Sequence, residues 1–166
     1  MKLTEYYNII RNKVMIKKVQ GKVYLSDISL ISMNCIGGTF YHDMNCKFLT
    51  PTVNLFFTAS DFIKFVNDLD YYLSFTPVVE MGEKYPIGTL DDIKIFFMHY
   101  DSCEDALQKW EDRKKRVNPK KIFVIMVEQN GFSKEDFENF KKIKYPKILF
   151  VNNKVYECED SVYFSQ

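Results

Sequence analysis

The sequence lacks the features that would place it in a function class at sight. Its four cysteines are widely scattered and form no Cys-x-x-Cys pair, so the spacing of a zinc ribbon is absent. The formal net charge is only +1, which leaves no overall field to attract nucleic acid or an anionic membrane. No apolar run is long enough to span a bilayer, and residues 1–11 carry charges where a signal peptide has its apolar core. We therefore expect a cytoplasmic protein with reduced thiols, no nucleic-acid partner and no membrane insertion.

The composition that remains is that of an ordered globular protein. Hydrophobic residues make up 46% of the chain and aromatic residues 16%, whereas disordered chains contain few aromatics. A chain of 166 residues is long enough to bury one sizeable core, and it contains no repeat, linker or low-complexity tract. We expect a single α/β domain over residues 1–166.

The second half of the chain alternates apolar runs with amphipathic segments. The apolar runs lie at 93–98, 122–127 and 148–151. Between them, Asp101 or Ser102 is placed to cap a helix that runs to about residue 117, and Ser133 with Asp136 resembles a capping box ahead of a second helix. Strands joined by single helices pair in parallel, and unbroken apolar runs are typical of strands covered on both faces. The sequence therefore predicts an open, mostly parallel sheet with helices on both faces, Rossmann-like in its β-α-β-α-β second half.

The first half is less regular. Residues 3–10 have the spacing of a short amphipathic helix, and 14–16 with 23–25 have the pattern of a hairpin. The apolar run at 28–33 predicts a strand that ends just before Cys35, residues 39–44 predict a helical turn or two, and 53–57 predict a buried strand. Ser60 is placed to cap a helix whose apolar stripe runs through 62–73, and the Pro- and Gly-containing residues 76–90 predict a loop.

Polar residues follow each predicted strand of the second half. They are His99, Tyr100 and Asp101 after the first strand, Glu128, Gln129 and Asn130 after the second, and Asn152 with Asn153 after the third. In open α/β sheets, ligands bind outside the carboxyl ends of the strands, so parallel strands would bring these groups to one edge. Cys35 would join them if its own strand runs in the same direction. We predict a substrate site at this edge, with Glu128, Asn130 and Asn152 among its binding groups.

A catalytic interpretation of this edge depends on Cys35. Asn34 and Cys35 separate the predicted strand from Gly37–Gly38, whose backbone N–H groups could hold an oxyanion or a phosphate. A thiol at a helix N-terminus favours the thiolate, His99 would act as its base, and Asp101 or Glu128 would orient the imidazole. Each residue also has a simpler interpretation. A cysteine that ends an apolar strand is usually a small buried hydrophobe, and Asp101 is equally well placed to cap the following helix.

Three further polar features have an ordinary explanation beside a functional one. The basic run 113–116 could grip the phosphates of a nucleotide sugar, but it also lies at a predicted helix C-terminus, where cations complement the dipole, and we favour a solvated face. Asp91 and Asp92 have no evident third partner, so no metal site is predicted. His42 lies in a loop-like stretch and is expected to face solvent. The sequence does not identify a cofactor.

Three blocks of the sequence also follow a known pattern. They are ISMNCIGGTFY (31–41), LTPTVNLFFTASDFIKFVNDLDYYLS (49–74) and YPIGTLDDIKIFFMHYDSCEDALQKWEDRKKRVN (85–118). Together they resemble a bacterial family of uncharacterised proteins that are usually labelled exopolysaccharide biosynthesis protein. The resemblance marks Asn34, Cys35, Gly37, Gly38 and His99, and it adds three residues to the predicted substrate-binding set: Thr52, Tyr100 and Arg113. The chain departs from the family pattern at Ile36, where an aromatic residue is usual, and it ends at Gln166, where a further segment is expected.

The resemblance implies a role in bacterial surface-polysaccharide or capsule biosynthesis. We expect a transferase or accessory enzyme that acts on a sugar or an activated sugar donor, by acyl or glycosyl transfer with a Cys35–His99 pair. One alternative is a non-catalytic module that binds a sugar or a nucleotide sugar. Another is a scaffold that associates peripherally with a polysaccharide-assembly complex.

Overall fold

The computed structural model describes residues 26–165, which form two β-sheets and five α-helices. In chain order the elements are β1 (Ser29–Ser32), α1 (Ile36–Asp43), α2 (Ala59–Asn67), α3 (Leu69–Ser74), β2 (Val78–Met81), β3 (Pro86–Leu90), β4 (Ile93–Phe96), α4 (Cys103–Lys114), β5 (Ile122–Val127), α5 (Lys134–Lys141), β6 (Lys147–Val151) and β7 (Ser161–Tyr163). A short 3-10 turn at Lys154–Tyr156 precedes the last strand. The predicted helix at 3–10 and the predicted hairpin at 14–16 and 23–25 lie outside the described residues.

The larger sheet is parallel throughout and has the strand order β1-β5-β6-β7. The smaller sheet is antiparallel and has the order β2-β3-β4. The predicted α/β class is therefore confirmed in its coarse form. The unit β5-α5-β6 is the predicted parallel β-α-β, and α5 begins at the predicted capping box, in which the side chains of Ser133 and Asp136 each accept the other's backbone N–H.

The strand predicted at 93–98 does not belong to the parallel sheet. It is β4, which pairs antiparallel with β3 through a tight turn at Asp91, whose φ is 55°. On its other edge, among the described residues, β4 makes only the antiparallel bridge from Phe96 to Phe56, and β5, which follows α4, lies in the other sheet. The stretch 76–90, predicted as loop, supplies β2 and β3 instead. Gly88 allows this packing, because a Cβ there would lie 2.8 Å from the ring of Phe97.

The stretch 53–57 was predicted as a strand, but it pairs with its neighbours at single points. The backbones of Phe56 and Phe96 exchange two hydrogen bonds of 2.9 Å, and the Phe57 N–H donates to the Met33 carbonyl at 3.0 Å. Asn54 has a left-handed backbone, with φ at 63°, and this interrupts the extended run. The segment thus lies between the two sheets and is hydrogen-bonded to the end of β1 and to β4.

The predicted helix at 60–73 divides into two. Thr58, rather than Ser60, is the N-cap of α2, and its hydroxyl accepts the Asp61 N–H. Asp68 leaves helical geometry, with φ at −133°, and separates α2 from α3. The apolar stripe still faces inward as predicted: Phe62, Phe65, Val66 and Leu69 are at most 2% exposed.

Two hydrophobic clusters lie on opposite faces of the parallel sheet. Leu30 and Ile125 pack with Tyr41 of α1 on one face. Their neighbours Ile31 and Val124 belong to the main core, because successive side chains of a strand point to opposite faces. The main core also receives buried side chains from the antiparallel sheet and from the other four helices. It is therefore shared by both sheets. Of the helices in the described residues, α1 is the one that packs on the other cluster.

Candidate functional site

The turn after β1 is held by polar groups of its own. The Ser32 hydroxyl donates to the Asn34 carbonyl at 2.6 Å and accepts the Gly37 N–H at 3.2 Å. The Asn34 side-chain oxygen accepts the Ile36 N–H at 3.1 Å. These contacts use two of the N–H groups at the start of α1. The predicted oxyanion or phosphate cradle therefore has two of its donors engaged by the protein itself.

Both glycines of this turn are explained by close packing. A Cβ at Gly37 would lie 2.6 Å from the Ser32 hydroxyl oxygen, and one at Gly38 would lie 3.1 Å from a methyl group of Val53. Their small size lets the first turn of α1 approach the end of β1 and the 53–57 segment.

Thr52, which the family resemblance marked, belongs to a buried hydroxyl network. Its Oγ1 accepts the backbone N–H of Ser32 at 3.0 Å and lies 2.9 Å from the Thr50 hydroxyl. All three residues are fully buried. Thr52 therefore fixes the end of β1.

Cys35 occupies the N-cap position of α1, and its thiol is half-buried. The thiol donates to the Leu55 carbonyl, with sulfur and oxygen 3.8 Å apart. Burial raises the pKa of the Cys35 thiol above its ordinary value of 9.0, against an opposite effect of backbone hydrogen bonds at Asn54 and Leu55. The neutral thiol is thus the favoured form at neutral pH, and the thiolate that a nucleophile requires is not.

A pocket of about 370 Å³ opens beside this thiol at the carboxyl end of β1. We call it the Cys35–Arg113 pocket, and its lining consists of Cys35, Gly38, Thr39, His42, Phe48, Val53, Asn54 and Arg113. The lining combines a hydroxyl, an imidazole, an amide, a guanidinium and an aromatic ring. A concave site of this size with a few polar groups on apolar walls is suited to a small ligand.

Arg113 and Tyr100, two residues of the predicted binding set, are in direct contact. Arg113 Nη1 donates to the Tyr100 hydroxyl at 2.6 Å, and that hydroxyl donates to the Val53 carbonyl at 2.9 Å. The guanidinium carbon lies 5.4 Å from the centre of the Phe48 ring. Tyr100 is buried, and this burial raises the pKa of its hydroxyl. The structure thus brings Cys35 and Arg113 to one pocket and places Tyr100 behind it.

His99 and Asp101, the predicted base and orienting group, do not line this pocket. Both residues are exposed and follow β4, in the antiparallel sheet. The His99 backbone N–H donates to the Asn54 carbonyl at 3.4 Å, one residue before the carbonyl that accepts from Cys35. Ser102 is the N-cap of α4, so Asp101 precedes the cap. The imidazole that does line the pocket is that of His42, which was expected to face solvent; it is exposed, and its Nδ1 lies 3.5 Å from Asp43 Oδ1.

The remaining predicted residues lie at the carboxyl ends of β5 and β6, where they hydrogen-bond to the backbone. The Glu128 carboxylate accepts the N–H groups of Asn152 at 2.7 Å and Asn153 at 2.9 Å. The Asn130 side chain donates to the Phe57 carbonyl at 3.1 Å. Glu128 and Asn152 also line a smaller cavity of about 240 Å³. These groups form a second location, distinct in its lining from the Cys35–Arg113 pocket.

Other sites on the described surface are less suited to the predicted chemistry. A larger opening of about 940 Å³ lies beside the amino end of β5, and none of the predicted site residues lines it. The side chains of Asp91 and Asp92 accept hydrogen bonds from Tyr71 and Tyr72, at 2.8 and 2.7 Å. Within residues 26–165, no group of three or more His, Cys, Asp or Glu side chains is arranged to hold a metal ion. None of the helices in that range has the length and apolar character needed to cross a bilayer.

Several pocket residues were missed by the sequence analysis. Thr39, His42, Phe48 and Asn54 come together from α1, the stretch after it and the 53–57 segment. Asn54 carried one usable signal, because asparagine is one of the few residues that readily adopt a left-handed backbone. The others have no distinctive local pattern.

Comparison with known proteins agrees with the predicted membership of an uncharacterised family. A protein of Haemophilus influenzae named as an uncharacterized protein is 31% identical over 150 residues, which cover 89% of this chain and 72% of the relative. Residues 6–166 match the family model of a domain of unknown function, DUF1919. Neither description mentions polysaccharide, so that part of the resemblance stays a prediction. The chain belongs to the DUF1919 family.

Proposed function

We propose that the protein binds a sugar or an activated sugar in the Cys35–Arg113 pocket, as an accessory component of bacterial surface-glycan biosynthesis. The observation that carries the proposal is the composition of that pocket. Hydroxyl, amide, imidazole and guanidinium groups surround a space bounded on one side by the Phe48 ring. Sugars present many hydroxyl groups and a weakly polar face, which such a lining complements. The role in glycan assembly is supported by the three sequence blocks that resemble exopolysaccharide biosynthesis proteins.

Binding is tested by thermal shift with monosaccharides, sugar phosphates and nucleotide sugars. A ligand that binds the native state raises the midpoint of unfolding, and above its Kd the stabilisation grows with the logarithm of the ligand concentration. We expect Thr39→Trp to abolish the shift, because Thr39 is exposed in the pocket lining and the indole would fill the space. Ser60→Trp is the matched control, since Ser60 is exposed at the start of α2 and does not line the pocket. A shift that Thr39→Trp leaves intact would place binding elsewhere.

The glycan role is tested in a bacterium whose own family member is deleted. We expect the deletion to reduce surface polysaccharide, and the wild-type gene to restore it. A Thr39→Trp gene that restores the polysaccharide fully would separate the biological role from the pocket and contradict the proposal.

The second candidate is a transferase that uses Cys35. One observation favours it: the Cys35 thiol and the His42 imidazole line the same pocket. The sulfur would displace the leaving group of an acyl or glycosyl donor, carry the group as a thioester or S-glycoside, and pass it to an acceptor hydroxyl. The thiol proton would go to His42 in this pocket, rather than to the predicted His99.

Intact-mass spectrometry distinguishes the two candidates. A transferase incubated with its donor gains the mass of one acyl or glycosyl group at Cys35, and Cys35→Ala abolishes both the adduct and the activity. In the binding module Cys35→Ala keeps full ligand affinity and full cellular function, because the neutral thiol contributes only packing and one hydrogen bond.

A further inference from the structure

Arg113 differs from the two lysines that follow it in what surrounds its charge. Lys114 pairs with Glu111 at 2.7 Å, and Lys115 lies 3.9 Å from Asp112. Among residues 26–165, no carboxylate lies within ion-pair distance of Arg113. Its side chain is half-buried in the pocket lining, whereas Lys115 is exposed. The basic run is therefore not a uniform solvated face, and the charge of its first member has no counter-ion among the described residues.

The partners that hold Arg113 are neutral. Nη1 donates to the Tyr100 hydroxyl at 2.6 Å and approaches the Val53 carbonyl at 3.4 Å. A guanidinium has five N–H donors, and these two contacts both use Nη1. The donors on Nε and Nη2 make no hydrogen bond to the described residues. They form the side of the guanidinium fork that matches the two oxygens of a carboxylate or a phosphate.

Tyr100 fixes the orientation of this fork. Its ring is buried and packs edge-on against Phe97, with ring centres 5.5 Å apart. Its hydroxyl donates to the Val53 carbonyl, so its lone pairs remain for Arg113. The Phe48 ring covers the guanidinium from the other side at 5.4 Å. Within residues 26–165 this half-buried cation is held by neutral groups and has no counter-ion, and a ligand in the pocket can supply one.

The volume of the pocket limits the size of that ligand. Ligand pockets generally range from about 300 to about 1,000 Å³, and this one, at about 370 Å³, is near the lower limit. A single sugar ring with one anionic substituent suits this volume better than a whole nucleotide sugar.

We propose that the Cys35–Arg113 pocket selects an anionic monosaccharide, with Arg113 as the specificity-determining residue that binds its phosphate or carboxylate and Tyr100 as the residue that positions Arg113. This inference rests on the proposed sugar-binding function and narrows its ligand class. The phosphate and the carboxylate share one chemistry: each presents two negatively charged oxygens on one atom, which a guanidinium can bind bidentately. The experiment separates them.

The test is isothermal titration of the full chain with four probes: glucose 1-phosphate, glucuronate, glucose and inorganic phosphate. We expect glucose 1-phosphate or glucuronate to bind more tightly than glucose, and the tighter of the two identifies the anion. Arg113→Gln should weaken the binding of that ligand by about 10- to 100-fold, because it removes a charged hydrogen-bond donor, and should weaken the binding of glucose much less. Lys115→Gln, which removes the same charge from an exposed position two residues away, should change affinity by less than about twofold.

Tyr100→Phe tests the positioning role. It keeps the buried ring and removes the acceptor of the Arg113 hydrogen bond, so we expect weaker binding of the anionic sugar and unchanged binding of glucose. A purely structural role would weaken both ligands equally. Arg113→Lys is the control for a folding defect, because it keeps the charge and most of the aliphatic stem. We expect it to recover part of the affinity for the anionic sugar. That affinity should fall more steeply with added salt than the affinity of the wild type does.

Four outcomes decide between the inference and the function on which it rests. Arg113-dependent binding of an anionic sugar supports both. Equal binding of glucose and the anionic sugars, unaffected by Arg113→Gln, overturns the inference and keeps the sugar-binding function. Arg113-dependent binding of inorganic phosphate with no preference for any sugar supports the anion site and overturns the sugar-binding function. No binding of any probe overturns both.

Discussion

Individual residues in the turn after β1 are constrained by their contacts with one another. The Ser32 hydroxyl both donates to and accepts from this turn, and Gly37 approaches it too closely to carry a side chain. The short side chain of Ser32 and the lack of a side chain at Gly37 thus allow the two residues to pack together. This packing holds Asn34 and Cys35 in place, so the direction of the Cys35 thiol depends on it.

Gly37→Ala tests this packing. The added Cβ would lie 2.6 Å from Ser32 Oγ and 3.1 Å from Ser32 Cβ, so the serine must move and lose its hydrogen bonds. We expect a loss of about 1–3 kcal/mol in the free energy of unfolding, measured by urea denaturation. Thr39→Ala, at an exposed position of the same helix, should change it by less than about 1 kcal/mol. Equal stability of Gly37→Ala and the wild type would show that the turn has room that the structure does not.

The Cys35 thiol gives a second prediction at this scale. Because burial raises its pKa, the thiolate fraction at pH 7 is smaller than in an exposed cysteine. We expect iodoacetamide to alkylate Cys35 more slowly in the native protein than in the urea-unfolded protein at pH 7, and the native rate to rise up to and beyond pH 9. Peptide mass spectrometry measures the rate residue by residue. Faster alkylation of Cys35 in the native protein would instead indicate an activated nucleophile and favour the transferase.

Among the elements, the β3–β4 hairpin is fastened to α2 and α3 by its turn. Tyr71 donates to Asp91, while Tyr72 and Lys64 both donate to Asp92 at 2.7 Å. The carboxylates of Asp91 and Asp92 therefore attach the antiparallel sheet to the helices. The hydrogen bond from Lys64, and after it the one from Tyr72, holds the pKa of Asp92 below its ordinary value of 3.8.

The lowered pKa of Asp92 predicts a dependence of stability on pH. The folded state binds the Asp92 proton more weakly than the unfolded chain does, so the contribution of Asp92 is fully present above the unfolded pKa, about 3.9. It is lost as the pH falls through the lower folded value. We expect Asp92→Asn to destabilise the protein at pH 7 and to reduce the fall in stability between about pH 5 and about pH 2, measured by denaturation at each pH.

A matched carboxylate provides the control for this effect. Glu83 is exposed in the turn between β2 and β3, and Glu83→Gln should keep the acid dependence of the wild type. An Asp92→Asn protein whose stability falls with acid as steeply as that of the wild type would contradict the assigned role of Asp92.

The same elements show which parts of the fold could be predicted from the sequence and which could not. The strands at 122–127 and 147–151 and the helices that begin after Ser102 and Ser133 were predictable, because cap residues and apolar runs are local signals. The sheet to which β4 belongs was not predicted, although the exposed Lys94 interrupts its apolar residues, because a strand of four residues is too short for its pattern to distinguish the two sheets. The decisive residue was Asp91, whose left-handed backbone makes a tight turn without the usual glycine.

The candidate site was predictable only in part for a related reason. Cys35, Gly38 and Arg113 were marked from sequence, and they line one pocket. The imidazole in that pocket comes from His42, not from the predicted His99, because His99 follows a strand of the other sheet. A pocket assembled from residues up to 78 positions apart has no local signature, so its membership depends on tertiary packing.

Over the whole molecule, one apolar core joins the two sheets. Ile31 and Val124 of the parallel sheet share a cluster with Leu90 and Ile95 of the antiparallel sheet. The 53–57 segment adds backbone hydrogen bonds to Met33 on one side and Phe96 on the other. Neither sheet can lose its partner without exposing part of this core, so we expect the described residues to unfold as one cooperative unit.

Ile95→Ala tests this cooperativity. Ile95 is fully buried in the antiparallel sheet, and its truncation should lower the free energy of unfolding by about 2–5 kcal/mol. Val78→Ala, at a 66% exposed position of the same sheet, should change it by less than about 1 kcal/mol. Fluorescence of the single tryptophan, Trp110 in α4, and far-UV circular dichroism should report the same transition in wild type and variant. Two separated transitions, with only the tryptophan signal shifted by Ile95→Ala, would show that the antiparallel sheet and α4 unfold apart from the parallel sheet and that the shared core does not couple them.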